Sequence, residues 1–232
     1  MPISMMFVKC NQFYTPGLQI NAQTQLVGSE DLALTEGEGH LYLDPTDEII
    51  NFGDSYFNIY KVDYDHKCVT KGFVFEKEFS YYFKNYKFKV YHEPDKQILL
   101  LSVKKDISNA LIKELSKEKH SNKKLYSFQQ LNIDFDKIIK KAENLSGLWA
   151  QIDRANVHSQ AYFGDNINMD AEVKMVLKER KTSYVIFETS IGEIDHKIGI
   201  TKNGNIVLYN NFESEHEQIK IAYLVYEMFL KD

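Results

Sequence analysis

Three charged residues in the second half of the chain have the types and spacing of a metal-dependent nuclease site. Asp165 precedes a Glu-x-Lys pair formed by Glu172 and Lys174. Carboxylates of this kind bind Mg²⁺, and a neighbouring lysine positions an attacking water. The pair falls in a segment predicted to be helical, where residues two apart point about 200° away from each other. The competing interpretation is therefore a capped helix with solvated charges.

An alternating run of aromatic residues and lysines is a second candidate site. It contains Lys84, Tyr86, Lys87 and Lys89. Single-stranded nucleic acid is held by aromatic rings that stack on bases and by lysines that meet phosphates. The same alternation is typical of a half-buried strand, with Tyr86 facing inward and with Lys87 and Lys89 outward, where they block aggregation. The run predicts one of these two roles.

The region around the single tryptophan is the third candidate. Trp149, Arg154 and His158 lie on two successive predicted strands, with Asp153 beside the arginine. An arginine next to an acid and near a histidine, in a hairpin bend, can form a binding site. The alternative is a buried tryptophan beside a surface ion pair.

The charges of the first half are strongly segregated. Residues 10–60 contain eight acids and no Lys or Arg, whereas residues 61–124 contain fifteen Lys and nine acids. Blocks of opposite sign can steer partners or face each other within the fold. The acidic stretch from 30 to 54 predicts a mostly solvated loop, with one strand at 40–43, that can dock a basic partner.

Several familiar function classes lack their motifs. Arg154 and Arg180 are the only arginines, which argues against sequence-specific reading of DNA. The seven histidines and two cysteines show no metal-ligand spacing, and no phosphate loop, dinucleotide fingerprint or Gly-x-Ser-x-Gly elbow is present. The sequence therefore predicts neither a bound metal nor a cofactor.

The elements that must position these residues predict an α+β fold of two lobes. Residues 1–119 predict a β-rich lobe, an antiparallel meander closed by one helix that Asp106 caps. The polar residues 63–67 predict a turn between two of its strands. The polar segment 120–124 is the predicted boundary between the lobes.

Residues 125–232 predict a second lobe of mixed strands and about three helices. The predicted helix caps are Asp134, Asn168 and Ser214, the last as part of a capping box. Asn203-Gly204 predicts a type I′ hairpin. The final helix, 219–230, is apolar almost all round, which predicts burial either in the core or in a homodimer interface.

Composition places the chain in a cytoplasm and away from membranes. No apolar run approaches the ~18 residues of a membrane span, and the first ten residues lack the basic region of a signal peptide. The residue bias suggests an AT-rich genome, such as that of a phage or a mobile element. The leading hypothesis is a non-catalytic accessory protein of a bacterial mobile-element or phage-defence system that contacts a protein partner through the acidic stretch, the final helix, or both. A metal-dependent nuclease and a single-stranded nucleic-acid binder are the alternatives.

Overall fold

The chain forms two compact units. A computed structural model describes residues 2–11, 13, 18–26, 35–74, 77–117, 127–154, 156–179 and 181–231, and for 18–26, 35–38, 74, 77, 153 and 154 it describes the backbone alone. The N-terminal unit comprises residues 10–128, and the C-terminal unit comprises residues 1–9 and 129–232. A compact unit need not fold independently, so the domains predicted at 1–119 and 125–232 stay a prediction. The boundary at 120–124 lies outside the described residues.

Antiparallel strands dominate the described residues and confirm the α+β class. The strands are β1 (Ile3–Cys10), β2 (Leu18–Leu26), β3 (Thr35–Phe52), β4 (Ser55–Val74), β5 (Lys77–Glu93), β6 (Ile98–Leu101), β7 (Phe128–Gln130), β8 (Asn144–Arg154), β9 (Val157–Phe163), β10 (Thr182–Ile191), β11 (Ile194–Thr201) and β12 (Asn205–Leu208). The helices are α1 (Lys105–Leu115), α2 (Phe135–Lys141), α3 (Ala171–Lys178) and α4 (Glu215–Val225). No helix among the described residues has the length and apolar character needed to cross a membrane.

The N-terminal unit is a meander in which each strand pairs with the next along the chain. Its strand order is β2-β3-β4-β5-β6. Side chains alternate between the two faces of a strand, and on one face Leu43 lies opposite Val62 and Val90 lies opposite Leu101. All four of these side chains are buried. They form part of the core of this unit.

The turn predicted at residues 63–67 is wrong, because β4 runs straight through it. Asp63 lies opposite Lys87 and Asp65 lies opposite Asn85 on β5. The polar residues that suggested a turn are satisfied instead by partners on neighbouring strands. A polar strand of this kind cannot be told from a turn by composition alone.

The acidic stretch is not the predicted loop over its described part. Residues 35–52 belong to β3, which pairs with β2 and β4, and residues 27–34 lie outside the described residues. The register between β3 and β4 is irregular from Pro45 to Ile49, and the acids Asp47 and Glu48 of this segment are exposed. Asp44 lies opposite Lys61, so the acidic and basic blocks of the sequence occupy neighbouring strands.

Helix α1 closes the meander but is not capped by Asp106. Its N-cap is Lys104, which makes no side-chain capping bond, and Asp106 lies in the first turn. A carboxylate there is still favourable, because the N-terminus of a helix carries partial positive charge. Ile107, Leu111 and Leu115 are buried, so the helix packs one apolar face against its unit.

The C-terminal unit is also built of antiparallel strands, and it pairs the first described strand with a strand of the second half. Its strand order is β1-β12-β11-β10-β8-β9. Ile3 of β1 lies opposite Leu208 of β12, and Met6 lies opposite Asn205. The first strand of the chain therefore completes the unit built by the second half.

Two of the three predicted helix caps of this unit are confirmed. Asp134 accepts a hydrogen bond from the Lys137 backbone N–H at 3.2 Å, and Ser214 accepts one from the Glu217 N–H at 3.2 Å. Asn168 is not a cap, because it lies within a 3-10 turn at Ile167–Met169. The residue after that turn, Asp170, has extended backbone angles and caps α3 with two hydrogen bonds.

The hairpin predicted at Asn203-Gly204 is confirmed, but its turn type is wrong. It joins β11 to β12, and the Gly204 N–H donates to the Thr201 carbonyl at 3.0 Å. A type I′ turn needs positive φ at both central residues, whereas here Gly204 has φ +77° and Asn203 has no positive φ. Glycine is therefore needed at 204 for its own positive φ, and the two-residue turn is not of the mirror-image type I′.

The final helix is buried, as its composition predicted. Helix α4 continues as a π-helical turn at Tyr226–Leu230. Tyr226 stacks on Phe7 at a ring distance of 4.9 Å, and Phe229 meets Phe187 edge-on at 4.9 Å. These contacts lie within one copy of the chain. The homodimer through this helix stays a prediction.

Candidate functional site

The three residues of the nuclease hypothesis are distributed over separate local structures. Glu172 and Lys174 lie on α3, and Asp165 precedes the 3-10 turn at Ile167–Met169. The Glu172 carboxylate accepts hydrogen bonds from the Tyr162 hydroxyl at 3.0 Å and from the Gln160 amide at 3.3 Å. Within the described residues, no group of three or more His, Cys, Asp or Glu side chains is arranged to hold a metal ion.

The aromatic and lysine run forms part of β5, and strand alternation divides its members. Lys84 and Tyr86 share one face, with the Lys84 Nζ 5.4 Å from the centroid of the Tyr86 ring. Lys87 and Lys89 belong to the opposite face, and Lys87 is paired with Asp63 at 3.2 Å. The four residues therefore do not present one continuous surface.

A polar cluster joins β3 to β4 and β5 around Asp63. The His40 Nε2 lies 3.1 Å from an Asp63 oxygen, and its Nδ1 lies 2.7 Å from an Asp65 oxygen. The Asn85 amide donates to both carboxylates, at 2.6 and 3.0 Å. Burial alone would raise the pKa of Asp63, but hydrogen bonds from Asn85, Lys87 and His40 lower it below its usual value. These groups satisfy one another, so the cluster stabilises the sheet.

Trp149 and His158 project from opposite faces of the β8–β9 hairpin. Trp149 lies opposite Ala161 in the register, and His158 is three residues from Ala161, so strand alternation places it on the other face. The Arg154 side chain lies outside the described residues. Trp149 belongs instead to a row of aromatic residues that was not predicted from the sequence.

This aromatic row crosses the sheet of the C-terminal unit on the face that carries Trp149. The Trp149 ring contacts the Phe163 ring edge-on at 4.7 Å and the Tyr184 ring at 5.1 Å. The Tyr184 and Tyr209 hydroxyls are hydrogen-bonded at 2.8 Å. Burial, and then this hydrogen bond, raise the pKa of the Tyr184 hydroxyl above its usual value. Phe163 ends the row and is 65% exposed.

Gly199 provides the space in which the Tyr184 ring lies. A Cβ at this position would overlap the Tyr184 hydroxyl oxygen. We expect Gly199→Ala to destabilise the protein by about 1–3 kcal/mol, since the ring must leave its position. Thermal unfolding of Gly199→Ala measures this cost. The same substitution in a Tyr184→Ser background is the control, and an equal cost in both backgrounds would contradict the prediction.

Strand β9 is the outer strand of this sheet and has an unusual composition for an edge. Its sequence, VHSQAYF, contains no Lys, Arg, Asp, Glu or Pro, the residues with which proteins commonly block an exposed edge. Most of its residues are exposed. In the part of the chain that the structure describes, β8 is its one strand partner.

The hydrogen bonds of the hairpin show which β9 backbone groups point away from β8. The Gly164 N–H donates to the Ser146 carbonyl at 3.3 Å. In an antiparallel pair, hydrogen-bonded positions alternate with positions whose N–H and C=O groups point outward. The outward groups are therefore those of Phe163, Ala161 and Ser159. They form an open ladder edge that a further strand can pair with.

A groove of about 220 Å³ lies on the other face of β9, between this strand and α3. Its described lining residues are Ile152, Gln160, Tyr162, Glu172, Met175, Val176, Glu179 and Lys181. Gln160 and Tyr162 lie between the residues whose backbone groups point outward. Because side chains alternate between the two faces of a strand, those of Gln160 and Tyr162 lie on the face opposite Ala161 and line the groove. A strand added to β9 would direct alternate side chains into this groove.

A larger cavity of the C-terminal unit lies away from this edge. It has a volume of about 440 Å³, and Asp134, Asp136, Thr182 and Lys202 are among its lining residues. The Thr182 hydroxyl is buried and has no hydrogen-bond partner among the described residues. Acidic and basic groups are mixed around it, so the lining selects no single class of ligand.

The sequence carried two signals for this site that the three candidate motifs did not use. Glycine within a strand often marks a close approach of another group, as Gly199 does for Tyr184. The absence of charge and proline from a seven-residue strand also indicates that this strand carries none of the residues that commonly block an edge. No protein-family model and no curated protein matches the chain.

Proposed function

We propose that the chain is a non-catalytic interaction protein that binds an extended segment of a partner protein by strand addition at β9. The observation that carries the proposal is the outward-facing backbone of Ser159, Ala161 and Phe163 on an uncharged, exposed edge. Strand addition takes its affinity from main-chain hydrogen bonds and its specificity from pockets for alternate side chains. Strand β9 has outward-facing backbone groups that can make the main-chain hydrogen bonds, and the adjacent groove can receive alternate side chains.

The two surfaces predicted from the sequence have smaller roles in this proposal. The apolar side chains of α4 are largely buried, so this helix has little apolar surface to offer a partner. The exposed acids Asp44, Asp47 and Glu48 belong to the N-terminal unit. Exposed charges of this kind raise association rates more than affinity. The cytoplasmic location and the phage-defence setting stay predictions from composition.

The nuclease and the nucleic-acid binder also stay predictions. In the described residues, Glu172 is held by Tyr162 and Gln160, and Lys87 is paired with Asp63. These contacts do not favour either activity. We therefore propose neither as the main function.

Replacing Ala161 by proline tests strand addition. Proline removes one outward N–H and leaves the β8–β9 hydrogen bonds intact, and edge strands tolerate it. A phage-displayed library of random 12-residue peptides, selected on the wild-type chain, supplies the probes. We expect the selected peptides to bind Ala161→Pro about ten-fold more weakly or worse, because a peptide carbonyl loses its donor. Isothermal titration measures the affinities.

Ala161→Val is the matched control, since it keeps the N–H and the strand propensity. Circular dichroism and thermal unfolding establish that both variants are folded. If Ala161→Pro does not fold, hydrogen exchange of the wild type replaces it, with protection expected at Ser159, Ala161 and Phe163 after peptide binding. The proposal is overturned if no peptide is selected, if the selected peptides bind both variants equally, or if these amides stay unprotected. Sedimentation of the free chain shows whether a second copy occupies β9 instead.

A further inference from the structure

The groove beside β9 combines an apolar floor with an acidic wall. Ile152 and Val176 are among its less exposed lining residues, and Met175 of α3 is 62% exposed. An apolar floor of this kind accommodates the aliphatic stem of a long side chain while the charged end stays at the rim. The groove thus fits a side chain that is apolar along its length and polar at its tip.

The carboxylate of Glu172 is placed to receive that tip. Its Oε1 accepts hydrogen bonds from Tyr162 and Gln160, both on β9, which fixes the side chain over the edge strand. Its Oε2 has no hydrogen-bond partner among the described residues. A carboxylate can accept several hydrogen bonds through its two oxygens, so this oxygen remains available to a donor from outside the chain.

The other charged residues described in the groove neutralise each other. The Lys181 Nζ lies 2.9 Å from a Glu179 carboxylate oxygen. Arg180 lies outside the described residues. With the Glu179–Lys181 pair formed, the Glu172 carboxylate is the charge that an incoming side chain meets. The described part of the groove therefore attracts a cation and repels an acid.

We propose that the strand added at β9 carries a Lys or Arg side chain into the groove between β9 and α3, where Glu172 binds it. The partner segment is accordingly extended and basic. This inference rests on the proposed strand addition, because the β9 ladder sets the direction in which alternate side chains of the partner point. In this arrangement the backbone hydrogen bonds at β9 provide the affinity, and the contact with Glu172 selects which side chain the partner carries at one position.

Peptides selected from the random library on the wild-type chain test the inference directly. We expect Lys or Arg to be enriched at one position, flanked at alternate positions by β-branched or aromatic residues. The selected peptides should lose about ten-fold in affinity when that residue is replaced by norleucine, which keeps the stem and removes the charge. A similar loss is expected for Glu172→Gln, which keeps an oxygen to accept the Tyr162 hydroxyl.

Glu172→Lys provides a reversal, because a library selected on it should favour Asp or Glu at the same position. Glu193→Gln is the matched control for charge, since Glu193 is exposed between β10 and β11. Binding that depends on Ala161 but shows no preference for Lys or Arg, or no loss with Glu172→Gln, overturns this inference and leaves strand addition standing. Peptide binding that is insensitive to Ala161→Pro overturns the proposed function as well.

Discussion

The stability of the protein is expected to fall steeply as the pH drops below about 6.5, the ordinary pKa of histidine. Burial lowers the pKa of His196, His92 and His66 in the folded chain. The unfolded chain therefore binds more protons than the folded chain between the lowered pKa values and 6.5. Stability is fully present above this window and is lost as the pH falls through it, by about 1.4 kcal/mol per pH unit for each such histidine.

His196 of β11 is expected to contribute most clearly. It is 3% exposed, and neither ring nitrogen has a hydrogen-bond partner among the described residues. The ring stacks on Phe212 with an interplanar angle of 4°. Burial lowers its pKa, and the nearby carboxylates of Glu217 and Asp195 offset part of that effect. Protonation at low pH would thus bury a charge that no group contacts directly.

Replacing His196 by leucine should therefore stabilise the protein, most strongly below pH 6. We expect a gain of about 1–3 kcal/mol at pH 7, since two unsatisfied polar atoms are removed, and a shallower dependence on pH. Urea unfolding at half-unit steps from pH 7.5 to 5 measures both effects. His158→Gln is the control, because His158 is exposed. An unchanged slope in His196→Leu would refute the assignment.

Truncation of Phe229 is expected to destabilise the chain by about 3–5 kcal/mol, the range for removing a fully buried aromatic ring. Phe229 is 1% exposed and packs edge-on against Phe187. For a chain of this size the loss corresponds to a melting temperature lower by about 6–20 °C. Differential scanning calorimetry of Phe229→Ala measures it. The large effect is expected because the final helix fills the core of its own unit.

A comparison with Leu224→Ala separates a core helix from a dimer interface. Leu224 is on α4 but is only half-buried, so its truncation should cost much less than that of Phe229. If the helix were a dimer interface, the melting temperature of the wild type would rise with protein concentration. Leu224→Ala would also shift the sedimentation behaviour towards the monomer. Neither change is expected.

Local chemistry explains which elements could be predicted from the sequence. Asp134 and Ser214 were identifiable because a capping side chain acts within three residues of its own position. The Asn203-Gly204 hairpin was identifiable for the same reason. Asn168 was wrongly predicted as a cap. Asp170, two residues later, is also a good capping residue, and it has the extended backbone that a cap requires.

Contacts with residues distant in the sequence determine the elements that could not be predicted. Residues 63–67 have the polarity of a turn, yet His40, Asn85 and Lys87 supply partners that keep β4 extended. The pairing of β1 with β12 has no signal in either segment, because each is merely a short strand. Hydrophobic alternation gives the faces of a strand but not its neighbours.

The candidate site could be predicted only in part for the same reason. Trp149 and Glu172 were both singled out from the sequence, but for other roles and with other neighbours. The groove depends on α3 lying beside β9, and the aromatic row depends on the order of the strands from β9 to β12. Neither the position of α3 beside β9 nor this order of strands follows from composition or spacing. The open edge depends on which strand is outermost, which only the fold establishes.

The pairing of β1 with β12 has a consequence for the synthesis of the chain. Residues 3–6 are translated long before their partners at 205–208. The strands of the 10–128 unit pair in the order in which they are translated, and local pairings of this kind form quickly. The edge of β1 that β12 later covers therefore has no strand partner while the intervening unit folds. A ribosome that stalls before residue 205 would leave this edge of β1 open to chaperones.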